Sequence, residues 1–269
     1  MFEKILVSLE PSEEWKYFLN YLTSFFKGSY FYILSVIDTT KFIGRGIKLY
    51  EEYLLELIQN SLKEYEELLK ERNAKFEILL KKGVVKDAVF NTVKEKNIDL
   101  LVIGSHSAIG VKRLKLGGIA KDILINSHIP VLIMNSLAPS PITPKILNPT
   151  TGSEYSYRAS LFALKFAKKY NGEITVLYLI KDEKEAEKYF EKLKFEAESL
   201  SCKINFKIAE NDPLESILQY AKEHDLIIGS RGYKGFKYKF RNIIKEFSLD
   251  YIVRSTITLS EKPILLICD

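Results

Sequence analysis

Apolar and polar positions along the 269-residue chain follow two alternating patterns. Short runs rich in β-branched and aromatic residues predict strands, and longer stretches with apolar residues every three or four positions predict amphipathic helices. In the first half, the predicted strands lie near Lys4–Leu9, Tyr30–Ile37, Phe76–Leu80, Leu100–Ile103 and Val131–Met134. The predicted helices lie near Ser12–Phe26, Lys48–Arg72, Val85–Lys96 and Ile119–Asn126. Strict alternation of strand and helix predicts an α/β fold, with a parallel sheet covered by helices on both faces.

The same plan restarts after a stretch rich in proline and serine, "NSLAPSPITP". The second set of strands is predicted near Lys145–Leu147, Glu173–Leu179, Lys203–Ile208, Leu226–Ile228 and Ile264–Ile267. Its helices are predicted near Ser156–Tyr170, Glu183–Ser199, Leu214–Glu223 and Leu249–Thr256. Both halves place a proline just before the last apolar strand. We therefore predict a duplicated domain, with copies at 1–136 and 145–269 and a linker at 137–144.

Charge and cysteine content narrow the class of protein. The net charge of +5 permits anionic ligands but does not demand nucleic acid. No segment has the roughly 18–20 uninterrupted apolar residues of a membrane span, so no membrane partner is expected. The N-terminal "MFEKILVSLEPSEEW" has acids where a signal peptide needs a positive start, which predicts a cytoplasmic location. Cys202 and Cys268 are isolated, so we predict neither a disulfide framework nor a thiolate metal site.

The stretch "LLVIGSHSAIGVKRLKLGGIA" carries the candidate chemistry of the first half. A predicted strand ends at Gly104, a basic loop follows, and Gly117-Gly118 opens a predicted helix. Glycine lets the backbone approach a polyphosphate closely, and a helix N-terminus presents free N–H groups to it. The arrangement is typical of a phosphate cradle, and a related stretch, "DLIIGSRGYKGFKYKFRNIIKEFS", lies in the second half.

The chain resembles the universal stress protein family in its tandem form. The opening "KILVSLEPSEE", the closing "PVLIM" and the glycine spacing carry the resemblance, which covers both halves. It implies a Rossmann-like open parallel sheet of the adenine nucleotide alpha hydrolase-like type, with ligands outside the carboxyl ends of the strands. Nucleotide-binding members show G-x2-G-x9-G-(S/T) after the fourth strand and an Asp at the end of the first. The implied ligand is ATP or AMP, with Mg²⁺ if ATP is bound.

In the first half, Gly104 matches the first motif glycine, and His106 lies in the loop behind it as a neighbour of the phosphate. Ser107 stands in place of the second glycine, where its Cβ would hold a phosphate further from the backbone. Gly117 matches the third glycine, and Gly118 replaces the hydroxyl residue while keeping a backbone donor. The family's acid falls at Glu10, one methylene longer than Asp.

In the second half, the departures from the motif lie elsewhere. Gly229 and Gly232 both match the family's glycines, but Thr151 stands at the position of the acid. Nine residues past Gly232 comes Asn242-Ile243 instead of Gly-(S/T). If Ser248 caps the last helix, the loop is about five residues longer than the family's. Neither half carries a complete motif.

The resemblance implies a stress-linked regulatory protein that binds an adenine nucleotide weakly, mainly in the first domain. Two alternatives stay open: a nucleotide-free interaction module with decayed sites, and a slow ATP hydrolase or phosphotransferase that uses Glu10 and Mg²⁺. The sequence singles out no catalytic residue and no metal ligand, so a non-enzymatic role is favoured. The two halves would form an internal pseudo-dimer, and whether the chain pairs again as a homodimer stays open, as does its protein partner.

The loop "RGYKGFKYKFR" alternates basic residues (Lys234, Lys237, Lys239 and Arg241) with aromatic ones. Such alternation occurs in single-strand nucleic-acid platforms. It also fits an amphipathic flap with its lysines in water, or lysines that screen phosphates bound beneath. No recognised nucleic-acid fold accompanies the loop, so the solvated flap is the favoured interpretation.

Overall fold

The computed structural model describes residues 1–10, 12, 14–41, 47–105, 116–135, 143–231, 238–240, 243–245 and 249–268. The chain divides into two compact units, residues 2–140 and residues 141–269. The predicted limits of the linker at 137–144 stay a prediction, because residues 136–142 lie outside the described part of the chain.

The first unit is a parallel sheet with four α-helices among the described residues. Its strands are β1 (Lys4–Ser8), β2 (Tyr30–Asp38), β3 (Lys75–Gly83), β4 (Leu100–Gly104) and β5 (Val131–Met134). Its helices are α1 (Glu14–Phe25), α2 (Ile47–Glu71), α3 (Val85–Lys96) and α4 (Gly118–Asn126). The strand order is β3-β2-β1-β4-β5, and every described pairing is parallel. The predicted α/β fold is confirmed.

The second unit repeats this arrangement. Its strands are β6 (Lys145–Thr150), β7 (Glu173–Tyr178), β8 (Lys203–Ile208), β9 (Leu226–Ser230) and β12 (Ile264–Ile267). Its helices are α5 (Glu154–Lys169), α6 (Glu183–Leu200), α7 (Pro213–Ala221) and α8 (Leu249–Leu259). The order β8-β7-β6-β9-β12 matches that of the first unit, strand for strand, and its pairings are also parallel.

A short antiparallel hairpin interrupts the second unit between β9 and α8. It pairs β10 (Tyr238–Phe240) with β11 (Ile243–Lys245). The sequence pattern did not predict these two strands, because three residues are too few to establish a period.

The core of each unit lies along its central strands. Ile5, Leu6 and Val7 of β1 are fully buried, as are Ile146 and Leu147 of β6. Both faces of such a strand are covered by helices, so its successive residues are all apolar. This explains why these segments show no alternation of apolar and polar residues. The edge strand β8 alternates between exposed and half-buried positions. It has one neighbouring strand, and one of its two faces is exposed to solvent.

One contact at the start of the central strands recurs in both units. In the first, the carboxylate of Asp99 accepts hydrogen bonds from the backbone N–H groups of Glu3 (2.7 Å) and Lys4 (3.1 Å). In the second, the carboxylate of Asp225 accepts from the backbone N–H of Lys145 at 2.8 Å. Each aspartate directly precedes the fourth strand of its unit. Its carboxylate is hydrogen-bonded to the backbone at the amino end of the first strand of that unit. The repetition of this contact supports the duplication that the sequence predicts.

Polar side chains cap several helices where the sequence turns from loop to helix. The Oγ of Ser153 accepts from the N–H of Ser156 at the start of α5, and Asp182 and Asp212 cap α6 and α7 in the same way.

None of the helices in the described ranges is long and apolar enough to cross a bilayer.

Candidate functional site

The first candidate site lies where the chain reverses its direction across the first sheet. From β1 the chain runs outward through β2 and β3, and then returns to add β4 and β5 on the other side. Ser8 at the end of β1 is paired with Ile103 of β4, so the carboxyl ends of these strands meet at one edge. Ligands of open α/β sheets bind outside such a switch point. Glu10, half-buried, follows β1 at this edge, and Gly104 ends β4 there.

A hydrogen bond closes the base of the loop that follows β4. The N–H of Gly117 donates to the carbonyl oxygen of Ser105 at 3.4 Å, which brings the two ends of the loop together. Gly117 is the N-cap of α4 and has no side chain, so it cannot cap the first N–H groups of the helix. A Cβ added at Gly117 or Gly118 would meet no atom within 4 Å. The described residues therefore leave free space at this helix N-terminus.

His106 and Ser107 belong to the predicted site but lie outside the described residues. Their assignment stays a prediction. The other four predicted residues of the first half are described: Glu10 follows β1, Gly104 ends the neighbouring strand β4, and Gly117 and Gly118 open α4, whose start is bonded to Ser105.

A buried tyrosine holds the segment that follows β1. The hydroxyl of Tyr65 on α2 accepts a hydrogen bond from the N–H of Ser12 (3.2 Å) and donates to the carbonyl oxygen of the same residue (3.0 Å). Burial raises the pKa of Tyr65 above its ordinary value of 10.0, so the phenol stays neutral and keeps its donor. This contact fixes the backbone two residues beyond Glu10. Sequence analysis missed it, because a tyrosine on a helix gives no signal of its distant partner.

The second unit has its switch point between β6 and β9, and a cleft opens there. Leu147 of β6 is paired with Ile227 of β9, and the strands end at Thr150 and Ser230. The empty space of the cleft, with the open space at its mouth included, is about 520 Å³. The described residues around it are Pro149, Thr150, Thr151, Ser156, Leu179, Ile217, Ile227, Gly229, Ser230, Ile252, Val253, Thr256, Ile264 and Leu266.

The lining of this cleft is aliphatic with hydroxyl groups, and no described lining residue is charged. Thr151, at the position of the family's acid, is half-buried at its edge. Gly229 lines the wall, and a Cβ added there would meet no atom within 4 Å. Gly232 lies outside the described residues, so its predicted role stays a prediction.

A buried network of polar side chains lies behind the end of β6. The Oγ1 of Thr150 donates to the hydroxyl of Tyr189 at 2.8 Å, and that hydroxyl lies 2.8 Å from the Oγ of Ser160. Ser160 also donates to the side-chain oxygen of Asn148, whose Nδ2 donates to the carbonyl of Ile228 at 2.8 Å. Every member is buried and partnered, so the network orders the strand end without an orphaned polar group.

The helix that follows the second loop begins later than the family's motif requires. Asn242-Ile243 takes the place of the Gly-(S/T) that should open the helix, but β11 begins at Ile243 and α8 begins at Leu249. The first residue of α8, Leu249, therefore lies six positions after Ile243. In the part of the chain that the structure describes, no group of three His, Cys, Asp or Glu side chains is placed to hold a metal ion.

Comparison with known proteins identifies the family. The model of the Universal stress protein family matches residues 1–135, which is half of the chain. Universal stress protein MJ0531 of Methanocaldococcus jannaschii is 29% identical over 107 residues, which cover 38% of this chain and 63% of that protein. The chain thus spans less than two thirds of this relative. Universal stress protein MJ0577 of the same organism is 23% identical over 154 residues, covering 50% of this chain and 95% of that protein.

A solved structure extends the likeness to both units. The crystal structure of a universal stress protein from Archaeoglobus fulgidus DSM 4304 matches with a TM-score of 0.78 at 20% identity, over 98% of each chain. At this identity the likeness shows the fold, and it covers the second unit, which the family model does not match. With the family model matched over half of its length and the fold repeated in the remainder, the chain belongs to the universal stress protein family, in its tandem form.

Proposed function

We propose that the chain is a stress-linked regulatory protein whose first unit binds an adenine nucleotide, ATP or AMP, weakly. The hydrogen bond from the Gly117 N–H to the Ser105 carbonyl carries this proposal. It sets the end of β4 against the N-terminus of α4, at the same edge of the sheet as the end of β1. A nucleotide seated at this edge would reach both the loop and the acid.

The phosphates would lie at the start of α4. The first-turn N–H groups of a helix have no intrahelical partner, and the helix dipole adds a partial positive charge there. Gly117 provides no side-chain cap that would compete for these donors. Gly118 has no side chain that would hinder a phosphate from reaching them. A phosphate would accept from the amides in the way that helix N-termini ordinarily bind anions.

Glu10 would hold the nucleoside. A carboxylate accepts hydrogen bonds only, so its partners would be a ribose hydroxyl or the amine of the adenine base. Glu10 is half-buried and follows β1 by two residues, where the hydrogen bonds between Tyr65 and Ser12 order the backbone just beyond it. The affinity would be low, since Ser107 and Gly118 depart from the family's motif.

The cellular setting is part of the proposal. Cys202 and Cys268 are not joined by a disulfide, which supports a cytoplasmic location, where thiols stay reduced. A protein partner would respond to the bound nucleotide, and the two units would act as a fused counterpart of a dimer. Light scattering of the purified chain would tell whether it pairs again.

The test combines mass spectrometry with titration calorimetry. We expect ATP or AMP in the denatured extract of gently purified protein, and weak binding of added ATP. Gly118→Asp puts a negative charge at the N-terminus of α4, which stabilises the helix but repels a phosphate, so the affinity for ATP should fall by about tenfold. Ile125→Gln is the matched control, because Ile125 is an exposed residue at the other end of the same helix.

Three outcomes would contradict the proposal. An empty extract together with no heat of ATP binding would favour the nucleotide-free interaction module. Equal loss of affinity in Gly118→Asp and Ile125→Gln would place the nucleotide elsewhere. Hydrolysis of ATP by the wild type, absent in Glu10→Gln, would show an enzyme.

A further inference from the structure

The cleft of the second unit has a lining that suits a different ligand from the one proposed for the first unit. Its walls are formed by aliphatic side chains from four elements, among them Ile217, Ile227, Ile252 and Leu266. The polar groups that line it are hydroxyls of threonine and serine. Transfer of a charged phosphate from water into such surroundings is costly unless cations or several N–H donors compensate it.

Among the described residues, two groups that would bind a nucleotide are not where the family's motif places them. Thr151 offers no carboxylate for a ribose. The segment that should open the phosphate-binding helix forms β11 instead, and α8 starts at Leu249. The described part of the cleft therefore lacks both ends of a nucleotide site, the acid and the helix N-terminus beside the second loop.

One hydroxyl at the cleft has no hydrogen-bond partner among the described residues. Thr256 on α8 lines the cleft and is 5% exposed, and its Oγ1 is buried without a partner. A threonine on a helix ordinarily bonds the carbonyl four residues before it, as Thr258 does with Arg254 at 2.8 Å. A buried hydroxyl left unsatisfied carries a desolvation cost. A ligand with a carbonyl, hydroxyl or amine group at this point would remove that cost.

We propose that the cleft of the second unit binds an uncharged, mainly apolar small molecule that carries a hydrogen-bonding group, and that it does not bind nucleotide phosphates. The tandem chain would then hold two ligands of different chemistry, a nucleotide in the first unit and a neutral molecule in the second. This inference is independent of the proposed function, because it rests on other residues and is tested with another ligand.

The probe is N-phenyl-1-naphthylamine, an uncharged aromatic amine whose fluorescence rises in apolar surroundings. We expect it to bind the full chain at one site, and ATP to leave its fluorescence unchanged. Gly229→Val places a side chain in open space in the wall of the cleft, at a residue whose backbone is not left-handed. The affinity for the probe should fall at least tenfold. Leu259→Gln, an exposed position on α8, is the matched control and should bind the probe as the wild type does.

A second variant keeps the test decisive if Gly229→Val does not fold. Thr151→Leu enlarges a half-buried side chain at the edge of the cleft. It should also lower the affinity for the probe. Unaltered probe binding in the folded cleft variants, or no probe binding by the wild type, would overturn the proposal. Displacement of the probe by ATP would overturn it too, and would show that the second unit holds a nucleotide. If Gly118→Asp weakens ATP binding about tenfold and the probe still binds as in the wild type, both proposals are supported, each by its own ligand.

Discussion

The Oγ1 of Thr150 donates a 2.8 Å hydrogen bond to the hydroxyl of Tyr189, and this bond ties the end of β6 to α6. The same tyrosine hydroxyl lies 2.8 Å from the Oγ of Ser160 on α5, so three elements meet at one buried oxygen. Burial raises the pKa of Tyr189 above 10.0, which keeps the phenol protonated as both donor and acceptor. The contact holds the strand end that lines the cleft.

Tyr189→Phe should lower the stability of the second unit. The substitution preserves the ring but leaves the hydroxyls of Thr150 and Ser160 short of a buried partner, which costs about 1–3 kcal/mol. Urea-induced unfolding followed by circular dichroism should show the loss. An unfolding curve that matches the wild type would mean that these hydroxyls find other partners.

Tyr65→Phe provides the comparison in the first unit. It removes the two hydrogen bonds with the backbone of Ser12. The chain has one tryptophan, Trp15, which is buried on α1, so its fluorescence reports the unfolding of the first unit. Tyr65→Phe should shift this fluorescence transition to lower urea concentration.

Much of this fold could be predicted from the sequence, because its strands are buried on both faces and its helices are amphipathic. The continuous apolar runs at Lys4–Leu9 and Leu100–Ile103 predicted β1 and β4, which the structure confirms within a residue or two. The spacing of apolar residues every three or four positions also predicted α2 and α6. Local patterns sufficed here since each element has its own apolar face.

The contacts around the candidate sites could not be predicted in the same way. Tyr189 and Thr150 are 39 positions apart, and a sequence pattern carries no information on which hydroxyls meet across that distance. The cleft of the second unit was missed because its lining combines residues from strands and helices that only the tertiary fold brings together. Gly104, by contrast, marked the end of β4 from the sequence alone, and Gly229 lies one residue before the end of β9, since close backbone approach has a local signature.

Gly152→Ala should destabilise the second unit for two separate reasons. Gly152 has φ +77°, a left-handed conformation that costs an alanine about 1–2 kcal/mol. Its added Cβ would also lie 2.9 Å from Cε2 of Tyr178 and closer still to the hydroxyl of that ring. Gly28→Ala isolates the first cost, because Gly28 has φ +86° with no atom within 4 Å of an added Cβ. Thermal unfolding should show a larger loss for Gly152→Ala, and equal losses would mean that Tyr178 moves aside freely.

Thr256→Val should stabilise the protein when no ligand is bound. Valine has the shape of threonine without the buried hydroxyl that lacks a partner among the described residues, so its unfolding free energy should rise by about 1 kcal/mol. Thr258→Val is the matched control on the same helix, and it removes a hydroxyl bonded to the carbonyl of Arg254. It should not stabilise. A destabilised Thr256→Val, measured in urea, would indicate that the hydroxyl has a partner in the folded chain.

The ionisation of Tyr170 should lower the free energy of unfolding as the pH rises above 10. Burial raises the pKa of Tyr170 from 10.0 to about 12 in the folded state. Above pH 10 the unfolded chain releases this proton while the folded chain keeps it, so the free energy of unfolding falls as the pH rises towards 12. Below pH 10 both states are protonated and the contribution is constant. Tyr170→Phe should flatten this decline, and its ultraviolet titration should show less tyrosinate formation near pH 12. An unchanged titration would show that Tyr170 ionises with the other tyrosines.

Repair of the first site is the strongest prediction about ligand binding. Ser107→Gly combined with Gly118→Ser restores the family's glycine and helix-start hydroxyl. The new serine side chain at position 118 enters open space, because a Cβ there meets no atom within 4 Å. Closer backbone approach and one added hydroxyl donor should tighten ATP binding by about 1–3 kcal/mol, the scale of one or two charge-assisted hydrogen bonds. Titration calorimetry with ATP measures the change directly.

Thr151→Asp is the corresponding repair in the second unit, and it should do less. It restores the acid, but α8 still begins at Leu249 behind the hairpin of β10 and β11, so the phosphates gain no helix N-terminus at the motif's position. Each single variant of the first site should account for part of the gain. If the repaired first site binds ATP no better than the wild type, the loop geometry between Ser105 and Gly117 has drifted from that of nucleotide-binding members. The nucleotide-free interaction module would then be the better account of the first unit.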